Sequence, residues 1–148
     1  MVGVGNPWRC DDAAGLAVAR RLGRSPPEGV RILEWEGEPI GLLEEWSEVE
    51  EAIAIDAVSS GAAAGTVHRI EAAEEALPLE LRRGSTHAMG LADAIELGRE
   101  LNRLPRRLLL LGIEGSRFEA GAELSEEVDR AVERVELLVR DLVGRQRP

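Results

Sequence analysis

Glu51-Ala52-Ile53-Ala54-Ile55-Asp56-Ala57-Val58, then Ser59-Ser60-Gly61-Ala62-Ala63-Ala64-Gly65, then Thr66-Val67-His68-Arg69-Ile70, is the stretch that decides the fold. Ala52–Ile55 is apolar without a break and has polar ends, as expected of a strand buried on both faces at the centre of a sheet. The connection at Ser59–Gly65 is too short to hold a crossover helix, which a return to a parallel neighbour requires. Thr66–Ile70 is therefore expected to run antiparallel to its predecessor, and the sheet to be mixed.

Outward from this centre, periods of two and of 3.6 alternate in the manner of an α/β domain. Met1–Val4 is a strand fragment closed by Gly3-Val4-Gly5-Asn6-Pro7. Asp11-Asp12 opens a helix running to about Leu22, where both carboxylates suit the N-terminus. Val30–Trp35 is a strand and Pro39–Ser47 a short helix entered through Glu38-Pro39. Glu71–Gly84 is acidic and ambiguous, a helical turn followed by a loop. Thr86–Leu101 is a helix with Leu91, Ala92, Ile95 and Leu101 on one side, and Arg107–Ile113 a further strand. Ser125–Val143 carries the clearest helical stripe, Leu124, Val128, Ala131, Val135, Leu138 and Leu142, with Glu126–Arg130 and Glu136–Arg140 spaced i,i+4 on its wet face. Neither repeat nor linker interrupts residues 1–148, so the expectation is one α/β domain. Strands usually run five or six residues, yet only about four precede the first turn. Either the natural chain begins upstream of Met1 or the strand is stunted.

Composition removes whole classes of function. The 148 residues carry 28 Asp and Glu against 18 Lys and Arg, a net charge of −10. With no basic cluster, a nucleic-acid partner is not expected. The longest aliphatic run, Leu108–Leu111, spans no membrane, and no secretion signal opens the chain. Cys10 is the only cysteine, so neither an internal disulfide nor a cysteine zinc cage can form. The expected compartment is a cytoplasm. All 18 basic residues are arginines, which removes lysine Schiff-base chemistry and the P-loop. Tyrosine is absent as well, leaving His68, His87 and the carboxylates as acid–base groups near neutral pH.

Two constellations could carry chemistry. Gly3-x-Gly5 between a strand and a helix has the start of a dinucleotide-binding turn, and Glu34 stands where a ribose-binding acid would. Trp8 occupies the place of the third glycine, however, and Asp11 and Asp12 would repel a pyrophosphate at the helix N-terminus. A tight turn that needs small residues explains the glycines better than a nucleotide site does. The second constellation is Asp12 at the junction after the first strand, Asp56 at the end of the buried strand, and His87 at the start of a helix. Ligands of open α/β sheets gather outside the carboxyl ends of the strands, and a carboxylate ending a buried strand is costly unless it is paired or meets a cation. Two carboxylates and an imidazole with open positions suit Zn²⁺, Ni²⁺ or a similar ion. Each residue also has a structural role open to it: Asp12 as a cap, Asp56 as a buried acceptor, His87 as a helix-start residue.

Gly3-Val4-Gly5-Asn6-Pro7-x-x-x-Asp11-Asp12-x-x-Gly15 resembles the opening motif of the hydrogenase maturation proteases. These endopeptidases process the large subunits of nickel–iron hydrogenases. The resemblance continues in order through Ile55-Asp56-Ala57, Gly65-Thr66, Ser85-Thr86-His87-x-x-Gly90-Leu91, Leu111-Gly112-Ile113-Glu114 and Leu124-Ser125-x-x-Val128. It implies a three-layer α/β/α fold around a five-stranded mixed sheet, mostly parallel with one antiparallel strand. Its metal-contacting positions carry over as Asp12, Asp56 and His87, which would also be the catalytic residues, with Asp12 the partner of the attacking water. Ala13 and Cys10 depart from positions that are often glycine in the family.

The activity implied is an aspartic-type, nickel-sensing endopeptidase of the cytoplasm, acting as a monomer. It would remove the C-terminal extension of a hydrogenase large-subunit precursor after metal insertion. The nickel would come with the substrate, and zinc or cadmium could substitute in vitro. Alternatives are a non-catalytic maturation chaperone, favoured by the lack of an obvious Ser–His or Cys–His pair, and a same-fold peptidase acting on another protein. Cys10 reads as a passive loop thiol, Asp11 as a cap, His68 as a surface imidazole and Asp93 as exposed helix. Trp8, Trp35 and Trp46 are read as packing residues or as a substrate groove.

Overall fold

A computed structural model describes residues 1–83 and 89–145. Five strands make one sheet: β1 (Val2–Val4), β2 (Leu33–Trp35), β3 (Glu51–Val58), β4 (Val67–Glu71) and β5 (Arg107–Glu114). Their order across the sheet is β2-β1-β3-β5-β4. All pairs are parallel except β4 with β5, which puts the mixed sheet expected from the short 59–65 connection on the page. The direction of β4 is as read, but its hydrogen-bonding neighbour is β5 and not its predecessor. β3 spends both its edges on parallel partners, β1 and β5, so the returning chain passes over to the sheet edge.

Helices cover both faces. Along β3 and β5, Ile55, Ala57, Leu109, Leu111 and Ile113 point to one side and pack under α1 (Ala14–Gly23) and α5 (Glu126–Arg145). Ala54, Val58, Leu108 and Leu110 point to the other, under α2 (Leu42–Trp46), α3 (Leu79–Arg83) and α4 (Leu91–Glu100). That alternation is the period of two of a pleated strand, and it explains why the central strands read as unbroken apolar runs. The α5 stripe is shifted slightly from its expected set: Val132 and Val139 join Val128, Ala131 and Val135 in the core, and Leu138 and Leu142 lie at its margin. Both i,i+4 pairs on the wet face form, Glu126 with Arg130 and Glu136 with Arg140. The ambiguous acidic segment contains α3.

Helix α1 begins later than expected. A 3₁₀ turn, Cys10–Ala13, precedes it, and neither Arg9 nor Ala13 caps with a side chain. The reason is a close crossing of backbones. A Cβ on Gly3 would stand 2.0 Å from the Gly15 carbonyl oxygen, and one on Gly15 would stand 2.3 Å and 2.4 Å from the carbonyl oxygens of Ile55 and Val4. With hydrogens in those places, α1 lies directly on β1 and β3. Helix α4 is described from Leu91, with Asp93 accepting a hydrogen bond from Gly90 N–H at 3.3 Å, so Asp93 is a capping residue. The expected start of that helix at Thr86 falls outside the described residues.

Candidate active site at the carboxyl end of the sheet

Gly5 sets the geometry of the rim. A Cβ there would meet the Asp12 carbonyl oxygen at 2.1 Å, so only a glycine lets the 3₁₀ turn fold back over the end of β1. Asn6 N–H reaches the same carbonyl at 3.4 Å, and Asp12 N–H donates to Arg9 O at 3.1 Å. Asp12 thereby stands above the neighbouring strand end, 3% exposed.

Asp56 rises from β3 on the face covered by α3 and α4 and lines a void of about 10 Å³ with Leu81, Leu91 and Ala92. It is 6% exposed, and its Oδ1 has no hydrogen-bond partner among the described residues. Burial, then the adjacent charge of Asp12, push its pKa well above the usual carboxylate range, against a backbone hydrogen bond from Ala57. Two carboxylates from positions 44 residues apart in the chain therefore converge at one rim, coupled through their charges. Such a pair can share a proton or hold a cation between them.

His87, the third expected member, lies outside the described residues. Among the described residues no group of three His, Cys, Asp or Glu side chains is arranged to hold a metal. The donor set is still suited to a divalent ion: two deeply buried carboxylates, one with an unsatisfied oxygen.

Asp11 turns out to be the brace of the rim. Its carboxylate accepts hydrogen bonds from Ser116 N (2.9 Å), Arg117 N (3.0 Å), Ser125 N (2.7 Å), Ser125 Oγ (2.9 Å) and Ser116 Oγ (3.4 Å). Burial pushes its pKa up, but these hydrogen bonds prevail and hold it below the usual value. Cys10 N–H→Gly121 O and Gly121 N–H→Trp8 O, both 2.9 Å, complete the clamp between the opening loop and residues 115–125. Cys10 is buried there in the left-handed region at φ 46°, a packing residue.

A further buried carboxylate with its own partners was missed from sequence. Glu114, 1% exposed at the end of β5, accepts from Ser60 N (2.7 Å), Gly61 N (3.0 Å) and Ser60 Oγ (2.8 Å), and its Oε2 lies 3.0 Å from His68 Nε2. Burial raises its pKa, and the bonds from Ser60, His68 and Gly61 more than offset that. The clue was available: like Asp56, Glu114 is a carboxylate ending an apolar strand. It anchors the turn after β3, and His68 is its partner. Of the tryptophans, Trp46 is core and Trp35 packs against Gly41 with its Nε1 on Glu38 O at 3.1 Å. Trp8 is 72% exposed on the braced opening loop. Glu34 pairs with Arg20 at 2.7 Å, and the glycines of the opening motif face backbone. Nothing in this arrangement cradles a nucleotide.

The hydrogenase maturation protease family model matches residues 16–141. The chain belongs to that family. In this hydrogenase maturation protease relative, the matched span includes Asp56 and His87 and begins after Asp12. Hydrogenase expression/formation protein HupM of Azotobacter chroococcum is 29% identical over 136 residues, 90% of this chain and 65% of that protein, so the chain spans about two thirds of its length. Hydrogenase 2 maturation protease of Escherichia coli is 28% identical over 135 residues, covering 90% of this chain and 82% of that one. A solved Escherichia coli endopeptidase superposes with a TM-score of 0.80 at 27% identity, over 93% of this chain and 86% of that one. Among the described residues no helix is long and apolar enough to cross a membrane.

Proposed function

We propose that the protein is an endopeptidase that removes the C-terminal extension of a nickel–iron hydrogenase large-subunit precursor once metal is in place. The observation that carries this is the convergence of Asp12 and Asp56, with an unsatisfied buried oxygen, at the rim of a chain in this family. His87 is proposed as the third contact; it stands four positions before Leu91, which lines a void with Asp56. The nickel ion is read as part of the substrate, recognised by these side chains; such an ion polarises an adjacent carbonyl and acidifies water. Asp12 is assigned to the attacking water, its backbone being held in place by the braced turn. Asp56, whose charge burial and the neighbouring Asp12 make costly, is the carboxylate that contact with a cation would most relieve. The reaction needs one copy of the chain and belongs in a cytoplasm, where the lone Cys10 stays reduced.

The test is incubation of the purified protein with precursor carrying or lacking nickel, followed by mass measurement of the large subunit. Loss of the extension only from the nickel-loaded form, abolished by Asp12→Ala and by Asp56→Ala, is the expected result. Binding of the precursor without any cleavage would make the protein a maturation chaperone instead, and cleavage indifferent to nickel would remove the metal-reading role.

A further inference from the structure

Trp8 is the most exposed large apolar side chain among the described residues, and it stands four positions before Asp12. A single apolar side chain on a surface is ordinary; the backbone beneath this one is not. Trp8 N–H donates to Asn6 Oδ1 and Trp8 O accepts from Gly121 N–H, both at 2.9 Å, so both polar groups of the residue are fixed. Arg9, next in the chain, forms an isolated parallel bridge with Gly121, and its Nε donates to Phe118 O at 3.1 Å. Asp12 N–H closes the turn onto Arg9 O at 3.1 Å. The loop that positions Asp12 therefore also holds the indole out in solvent. Folding gains little from it there, since roughly 150 Å² of its surface stays wet.

Two further exposed apolar side chains, Leu79 and Met89, each lie two positions before a residue, Leu81 and Leu91 respectively, that lines the void with Asp56. The opening loop, α3 and the approach to α4 thus each carry one. Charges on the loops around Trp8 are engaged within the chain, Arg9 Nε on Phe118 O and Arg117 with Glu119 at 3.1 Å, so what Trp8 offers a partner is an apolar face. We infer that Trp8 is the docking anchor for the large-subunit precursor, receiving an apolar side chain of the segment that flanks its metal centre; this rests on the endopeptidase reading above. The occupant follows from position and charge. A partner that brings a cation to Asp12 and Asp56 has to lie over the carboxyl end of the sheet, and the loop that carries Asp12 carries Trp8. A free ion would satisfy the carboxylates and leave the indole wet, whereas a macromolecule spans both. A second copy of this chain would bring its own net charge of −10 against two carboxylates that already repel each other. A fixed backbone and the two side-chain torsions of a tryptophan leave little freedom to lose on binding, as suits a residue that carries much of an interface.

The protein is labelled with a fluorinated tryptophan, which gives separate fluorine resonances for Trp8, Trp35 and Trp46; that of Trp8 is assigned by its loss in Trp8→Leu. On titration with purified, nickel-loaded precursor from the same host, the Trp8 resonance is expected to move and to lose its solvent-isotope shift, while those of Trp35 and Trp46 stay in place. In cleavage assays Trp8→Ala is expected to raise KM for that precursor about tenfold or more, with the loss lodged in KM rather than kcat. Trp8→Leu, which keeps a large apolar side chain, should recover most of that loss, and Trp8→Ser none of it. Because the indole is exposed, the Tm of Trp8→Ala should stay within about 2 °C of the parent's. A Trp8 resonance that ignores a precursor the protein cleaves overturns the inference and leaves the endopeptidase reading standing. So does a KM rise of less than about threefold, or a loss that falls on kcat or on Tm instead. A resonance that responds to a precursor the protein does not cleave keeps the anchor and removes the endopeptidase. With neither response nor cleavage, both fall. Movement that tracks the protein's own concentration without precursor marks a second copy as the occupant and overturns the inference.

Discussion

Asp56→Asn should stabilise this protein. The side chain is 6% exposed, its Oδ1 meets no hydrogen-bond donor among the described residues, and its neighbour Asp12 raises the cost of its charge. An amide of the same shape removes that charge and presents an N–H₂ group that can donate toward the Asp12 carboxylate. Relieving one unsatisfied buried polar group is worth about 1–3 kcal/mol. For a chain of this size that raises Tm by roughly 3–10 °C. The pH dependence carries the sharper information. The folded state binds the Asp56 proton more tightly than the unfolded chain does, so the contribution of Asp56 to stability is whole below the unfolded pKa of about 3.9. It is lost as pH rises through the raised folded value. The gain from Asp56→Asn should therefore be small near pH 4 and grow as pH increases, as read by thermal melts followed by circular dichroism from about pH 4 to 8. A variant that melts no higher than the parent at the upper end, or whose gain is flat with pH, would refute the reasoning. The same variant should lose cleavage of nickel-loaded precursor, which separates a residue kept for function from one kept for stability.

Gly15→Ala puts a Cβ 2.3 Å and 2.4 Å from two backbone oxygens that cannot yield without parting α1 from β1 and β3; a cost of about 3 kcal/mol and a Tm fall of roughly 10 °C are expected in a thermal melt. Asp11→Ala strands the donors of Ser116, Arg117 and Ser125, for about 3 kcal/mol lost at neutral pH. Because the folded pKa of Asp11 is depressed, its stabilisation is present above the unfolded pKa and disappears as pH falls through the folded value. Parent and Asp11→Ala urea midpoints should accordingly converge in acid. Glu114→Gln weakens the hold on Ser60 and Gly61, and exchange at those two amides should quicken by at least about tenfold.

The sheet was legible where the signal is local. Ala52–Ile55 identified the central strand, the short 59–65 connection identified a strand of reversed direction, and Val128, Ala131 and Val135 identified the face of α5. What local pattern does not carry is which strand pairs with which. β4 and β5 are joined by hydrogen bonds between residues some forty positions apart, and no periodicity encodes that register. The same holds for Asp11. Its acceptor role depends on Ser116 and Ser125, more than a hundred residues away, so next to a helix start it reads as a cap. Asp56 was legible because a carboxylate ending an apolar strand is a conflict in itself, and Glu114 presents the same conflict. They differ in outcome: Glu114 is satisfied by Ser60, Gly61 and His68, whereas Asp56 keeps an unpartnered oxygen among the described residues.

That difference also accounts for the opening motif. Glycines between a strand and a helix ordinarily free backbone N–H groups for phosphate oxygens. Gly3, Gly5 and Gly15 instead each give up a Cβ to a protein carbonyl, those of Gly15, Asp12 and Ile55. The space a phosphate would need is filled by the chain itself, and the acids Asp11 and Asp12 follow where a phosphate could not tolerate them. With Asp11 tied to residues 116–125 and Gly5 seated on the Asp12 carbonyl, the backbone beneath Asp12 is held from two sides before any substrate arrives. The repulsion between Asp12 and Asp56 cannot then be relieved by moving the turn away. It can be relieved by a proton or by a cation, which is what the proposed reading of a metal-loaded partner requires of these two side chains.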